Sequence, residues 1–107
     1  MTCWPTLTAL ALTALFFAAD ARADAPAKPA RLGLCAACHG ENGIATAPGI
    51  PNLAAQNREY LVAAPRQYRA GERTAQAMRA VAGSLSDADI DLLAAWYAAQ
   101  PANGASR

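Results

Sequence analysis

The sequence predicts an all-α fold, and three observations carry that expectation. No segment alternates apolar and polar residues over the length of a strand. Two segments place apolar residues at helical spacing, and each follows a capping residue, Asn57 or Ser86. The stretch from Gly40 to Asn57 holds three glycines, two prolines and three asparagines, which reads as a long loop and not as a strand.

Taken in order, the chain of 107 residues opens on a leader. Leu7 to Ala19 (LTALALTALFFAA) is uncharged and too short to span a bilayer as a mature helix. Asp20 follows, then Ala21-Arg22-Ala23, the small-x-small pattern of a cleaved secretory signal. A buried core helix is the competing reading, but no polar face interrupts the run as a helical period requires. Met1 to Thr6 carries no lysine or arginine, a departure from the charged start of such leaders. The boundaries expected are a signal peptide at 1–23 and a single domain at 24–107, exported to the periplasm, with no membrane span in the mature chain.

Within that domain Asp24 to Pro29 is a proline- and alanine-rich lead-in. Pro29 is expected to open a short helix at its first position, running through Leu32, Leu34 and Cys35. The loop to Asn57 comes next. Asn57 caps a helix over Arg58 to Ala70, ended by Gly71, with Tyr60, Leu61, Ala64 and Tyr68 on its inner stripe. Pro65 should kink or split it. Glu72 to Ser84 reads as irregular and contains Met78. Ser86 with Asp89 three residues on forms a capping box for the last helix. Its buried stripe is Ile90, Leu93, Ala94 and Tyr97, flanked by Leu92 and Trp96, and Pro101 stops it.

Composition narrows the function. Nine basic residues against eight acidic ones exclude the basic excess of a nucleic-acid binder. Collagen-like, coiled-coil and disulfide-scaffold compositions are excluded as well, with seven glycines, seven prolines and three cysteines. A domain of about 80 residues buries little surface and is usually stabilised by a metal, a disulfide or a cofactor.

Removing the leader takes Cys3 with it and leaves Cys35 and Cys38. Cys35-Ala36-Ala37-Cys38-His39 is a Cys-x-x-Cys-His run, the pattern of covalent c-type haem attachment. Two thiols a helical turn apart can add to the two vinyl groups on one porphyrin edge, and the next residue then offers its imidazole to the iron. His39 is the only histidine in the chain. The rivals fare worse. A thioredoxin-like dithiol wants a βαβ setting; structural zinc wants four ligands and finds three crowded into five residues; a plain disulfide leaves the long loop with nothing to pack on. One haem c is the expected cofactor. For the other face of the iron, Met78 is the only thioether left in the mature chain. Its competing role is core filler, and Lys28, Tyr60 or Tyr68 could substitute as ligands.

These residues resemble the class I c-type cytochromes, in particular small bacterial single-haem periplasmic cytochromes and the repeat unit of two-haem ones. The matching stretches are CAACHGENG (35–43), PNLAAQ (51–56), YL (60–61), YRAGER (68–73) and LSDADIDLLAAWYAAQ (85–100), in that order. The resemblance implies a single class I cytochrome c domain, three to four short helices and long loops wrapped around one covalent haem. It implies thioether links at Cys35 and Cys38, His39 and Met78 as axial ligands, and a backbone carbonyl at Pro51 accepting the His39 ring N–H. It puts Trp96 and Tyr97 where the family packs aromatics on the helix that crosses the N-terminal one. There are three departures from the family pattern: Pro26 and Pro29 shorten the first helix, Pro65 interrupts the second, and Ala55 stands where glycine is usual.

The expected function is one-electron transfer between redox proteins, with no open iron position and no catalysis of its own. Two other roles remain open. One is a dedicated cytochrome subunit of a dehydrogenase complex such as a sulfide-oxidising flavocytochrome. The other, if Met78 is not bound, is a gas-binding haem protein. Arg58, Arg66, Arg69, Arg73 and Arg79 against Glu59 and Glu72 suggest a positive rim for an acidic partner, with a solvated helix face as the plainer alternative.

Overall fold

The computed structural model describes residues 1–3 and 25–104. Residues 4–24, which hold the apolar run and the cleavage pattern of the expected signal peptide, lie outside the described residues. Four helices follow in order: α1 Leu32–His39, α2 Arg58–Ala70, α3 Gln76–Gly83 and α4 Asp87–Ala98. No strand occurs among the described residues. The all-α expectation holds.

Pro29 is buried, but it does not begin the helix. Its carbonyl accepts from Leu32 N at 3.1 Å, closing a tight turn over Ala30 and Arg31, and α1 starts after that turn. Leu32 then enters the core, 2% exposed. The long loop 40–57 is shaped by its own backbone. Gly43 O accepts from Leu53 N (2.8 Å) and Ala54 N (3.1 Å), which doubles the loop back on itself. Gly43 has φ +77°, and a Cβ there would lie 2.5 Å from Ala54 N, so only glycine fits.

Asn57 caps α2 as expected, its Oδ1 accepting from Tyr60 N at 2.9 Å, and Gly71 ends the helix in the left-handed conformation at φ 80°. Pro65 does not split α2. The helix is continuous through it, because Leu61 and Ala64 on the same face are buried against the core and hold the turn that lacks the proline N–H.

The segment expected to be irregular, 72–84, contains α3. Gln76, Ala77, Met78, Arg79 and Ala80 are good helix formers. The helix is short, and Ala75 at its N-cap supplies no side-chain bond, so no start signal marks it. Met78 therefore sits on a helix. This α3 packs on α2, which in turn packs on α4.

The capping box of α4 is formed in full: Ser86 Oγ accepts from Asp89 N at 3.1 Å, and Asp89 Oδ2 accepts from Ser86 N at 3.0 Å. Leu32, Leu61, Leu85, Ile90, Leu93, Ala94 and Tyr97 make one buried cluster. Full burial of a Leu or Ile side chain stabilises by about 1.5–3 kcal/mol, and Leu32 is the residue through which α1 enters this cluster. Leu92, on the opposite side of α4, is exposed. At the far end, Arg69 donates to Leu85 O (3.0 Å) and to Asp87 Oδ1 (2.6 Å), and Arg66 lies 3.5 Å from Asp87 and 3.7 Å from Asp91. Part of the arginine rim is thus spent on the acidic start of α4, joining α2 to it.

Candidate functional site

The site begins at the C-terminus of α1. His39 is 7% exposed and is the one buried charged or polar side chain among the described residues. Its Nδ1 is 2.8 Å from Pro51 O. A carbonyl can only accept, so Nδ1 carries the proton and Nε2 is the nitrogen free to give a lone pair. The turn that follows is pinned from α4. Tyr97 Oη donates to Gly40 O at 2.9 Å, Trp96 Nε1 donates to Glu41 O at 2.8 Å, and Ala55 N donates to Tyr97 O at 3.1 Å. Burial pushes the Tyr97 hydroxyl well above the usual phenol range, so it stays a donor at any ordinary pH. Gly40, at φ +77°, is required here, since a Cβ would meet Ile44 O at 2.2 Å.

His39 opens onto a cavity of about 880 Å³, its mouth included, lined from all four helices and the long loop. Cys35 and His39 line it from α1 and Pro51 from the loop; Met78 lines it from α3. Much of the remaining wall is apolar, and at Ala64, Ala82 and Ala94 the side chains are too short to fill the space. Cys38 is exposed, one turn beyond Cys35, and both thiols are free. Burial pushes the Cys35 thiol up, keeping it protonated.

These residues fit a haem. The apolar cavity suits a flat macrocycle, two free thiols stand at adjacent turns, and an oriented imidazole and a thioether share the same space. They do not fit the rivals. Among the described residues there is no strand for a thioredoxin-like setting, and no group of three His, Cys, Asp or Glu able to hold a metal ion. The described residues also include no helix long and apolar enough to cross a membrane.

The substitute ligands separate. Tyr60 and Tyr68 line the cavity, but Lys28 does not; its Nζ is 2.6 Å from Glu41 Oε1. The residue that sequence reasoning did not single out is Arg73, which also lines the cavity. Its guanidinium carbon is 4.6 Å from the Tyr68 ring centre, and Nη1 donates to Tyr60 Oη at 3.4 Å. In the sequence it stood only among the arginines of the rim and at the end of the YRAGER stretch.

The family model described as "Cytochrome c" matches residues 26–98. The chain is 39% identical over 94 residues to cytochrome c4 of Pseudomonas aeruginosa, an alignment covering 88% of this chain and 45% of the relative. It is 42% identical over 80 residues to cytochrome c-554(548) of Halomonas halodenitrificans, covering 72% of this chain and 96% of the relative. It is 37% identical over 92 residues to a thiosulfate dehydrogenase electron acceptor of Thiomonas intermedia, covering 85% of this chain and 42% of the relative. The chain spans less than half the length of the first and third of these relatives.

Proposed function

The chain belongs to the cytochrome c family, and from that premise we propose that it is a periplasmic one-electron carrier with a single covalent haem c, shuttling electrons between redox proteins and transforming no substrate. The observation that carries the reading is the meeting of Cys35, His39 and Met78 on one cavity, with His39 Nδ1 engaged by Pro51 O. When bound, haem c supplies the ferric/ferrous couple. Cys35 and Cys38 would hold it through thioethers. His39 would offer Nε2 to the iron, with Pro51 fixing the tautomer and strengthening the imidazole as a donor. Met78 would offer a soft thioether, which favours the ferrous state. With His39 and Met78 both engaged, no position on the iron would be left for a substrate. The leader at 1–23 would direct export.

A second reading is a dedicated electron acceptor for a dehydrogenase, favoured by the similarity to thiosulfate dehydrogenase electron acceptors. Co-purification from the native host as a stable complex with a dehydrogenase would decide for it; isolation as a lone chain would decide for the free carrier.

The test of the site is a visible spectrum of the periplasmically expressed protein, oxidised, reduced, and reduced under carbon monoxide. The carrier gives a haem c spectrum, a sulfur-to-iron charge-transfer band when oxidised, and no carbon monoxide response. A clear carbon monoxide shift means that Met78 is off the iron and that the protein is a gas-binding haem protein.

A further inference from the structure

We propose that the outward face of α2 is a self-association surface, on which a second copy of this chain docks antiparallel across a twofold axis. Glu59, Val62, Ala63 and Arg66 stand at i, i+3, i+4 and i+7, so they share one stripe of the helix. Leu61, Ala64 and Tyr68 occupy the opposite side and line the cavity. The outward stripe lines a separate, open groove, bordered on α4 by Asp91.

Along the stripe the order is acid, two small apolar side chains, base. Turned about an axis between positions 62 and 63, a second α2 sets Glu59 opposite Arg66 at each end and Val62 against Ala63 in the middle. That meets the isologous requirement of a closed pair, in which the same patch serves both copies. The charges are available for it. Glu59 makes no ion pair among the described residues. Arg66 reaches Asp87 and Asp91 only at 3.5 and 3.7 Å, long for a hydrogen bond, while Arg69 holds Asp87 at 2.6 Å. With Arg58 the groove carries two basic and two acidic side chains, so two copies meet without net repulsion, and a partner of one sign finds no advantage there. Ala63 is exposed and Val62 half-buried, both small enough for two helices to approach closely. One helix face is a small interface, so the pair forms and separates with concentration. The pairing face and the cavity lie on opposite sides of α2, so association leaves the cavity wall untouched.

The test is sedimentation velocity of the haem-loaded protein over a concentration series, at low and at high salt. The wild type should pass from monomer to dimer as concentration rises, and salt should weaken the dimer. Glu59→Arg and Arg66→Glu each set like charges opposite one another and should be monomeric throughout. An equal mixture of these two variants should dimerise again, because one copy is basic at both ends of the stripe and the other acidic at both. Ala63→Gln puts a polar amide at the apolar centre and should also lose the dimer, with the visible spectrum unchanged. It carries the test if a charge variant does not accumulate. A wild type that stays monomeric at every concentration overturns the proposal. So does a dimer that survives Ala63→Gln, or a mixture of the two charge variants that remains monomeric.

Discussion

Tyr97 and Gly40 are joined by a 2.9 Å hydrogen bond from the phenol of α4 to the first carbonyl after His39. The same tyrosine accepts from Ala55 N through its own carbonyl, at 3.1 Å. One buried residue therefore ties together both ends of the loop that carries Pro51, and so indirectly the His39 contact.

Tyr97→Phe removes the phenol donor and keeps the ring. The loss should be about 1 kcal/mol, read as a fall in Tm of about 4–8 °C for a domain of this size. The phenol also makes a pH prediction. Its folded-state pKa is raised by burial above the unfolded value near 10, so its contribution is full below that value and declines as pH rises beyond it. Wild-type Tm should fall above about pH 10, and Tyr97→Phe should flatten that limb. Equal slopes in the two proteins would show that Tyr97 is not the titrating group.

Ala55 lies at φ 56°, in the left-handed region where a Cβ is strained and glycine is favoured. Ala55→Gly relieves about 1–2 kcal/mol of strain and returns about 0.4–1 kcal/mol of unfolded-state freedom. Thermal melts should show a gain of a few degrees. Gly43→Ala should do the reverse, since its Cβ would press on Ala54 N at 2.5 Å.

Asp87 receives Arg69 and Arg66, and the Arg69 hydrogen bond foremost holds its carboxyl below the usual range. A depressed pKa gives stability that is present above the unfolded value and lost as pH falls towards the folded one. Asp87→Asn should lower Tm at neutral pH and reduce its drop between pH 5 and 3. The pair is exposed, so added salt should shrink the difference between the two proteins; a salt-independent difference would point to a role for Asp87 in packing or capping instead.

Met78→Ala should leave covalent haem attachment intact while abolishing the sulfur-to-iron band and admitting carbon monoxide to the reduced iron. The midpoint potential should drop with the loss of thioether ligation. A Met78→Ala protein whose oxidised spectrum matches the wild type would remove Met78 from the ligand set.

What could be read in advance follows the strength of the local signal. Asn57 with Gly71, and Ser86 with Asp89, are chemical start and stop marks, and the bounds of α2 and the cap of α4 match them. The stripe Ile90, Leu93, Ala94 and Tyr97 is buried as its spacing requires. Helix α3 carries no such mark. Ala75 has no side chain to cap with, and the helix depends on packing against α2. Pro65 misleads for a related reason: a local penalty was outweighed by tertiary burial of Leu61 and Ala64. At the site, the Cys-x-x-Cys-His motif locates Cys35 and His39 because their chemistry is tied to spacing. Arg73 is invisible in that way, since what distinguishes it is a neighbourhood of two rings and a shared cavity.

The bonds that pin the His39 turn join residues far apart in the chain, 57 positions for Tyr97 to Gly40 and 55 for Trp96 to Glu41. The loop therefore cannot adopt its final shape until the chain has been synthesised through α4. Until α4 docks, Cys35, Cys38 and His39 stand on an unclosed segment, reachable by whatever machinery loads the chain. Docking then closes His39 into the fold, and a chain shortened before Trp96 would lose both of the bonds that latch this turn.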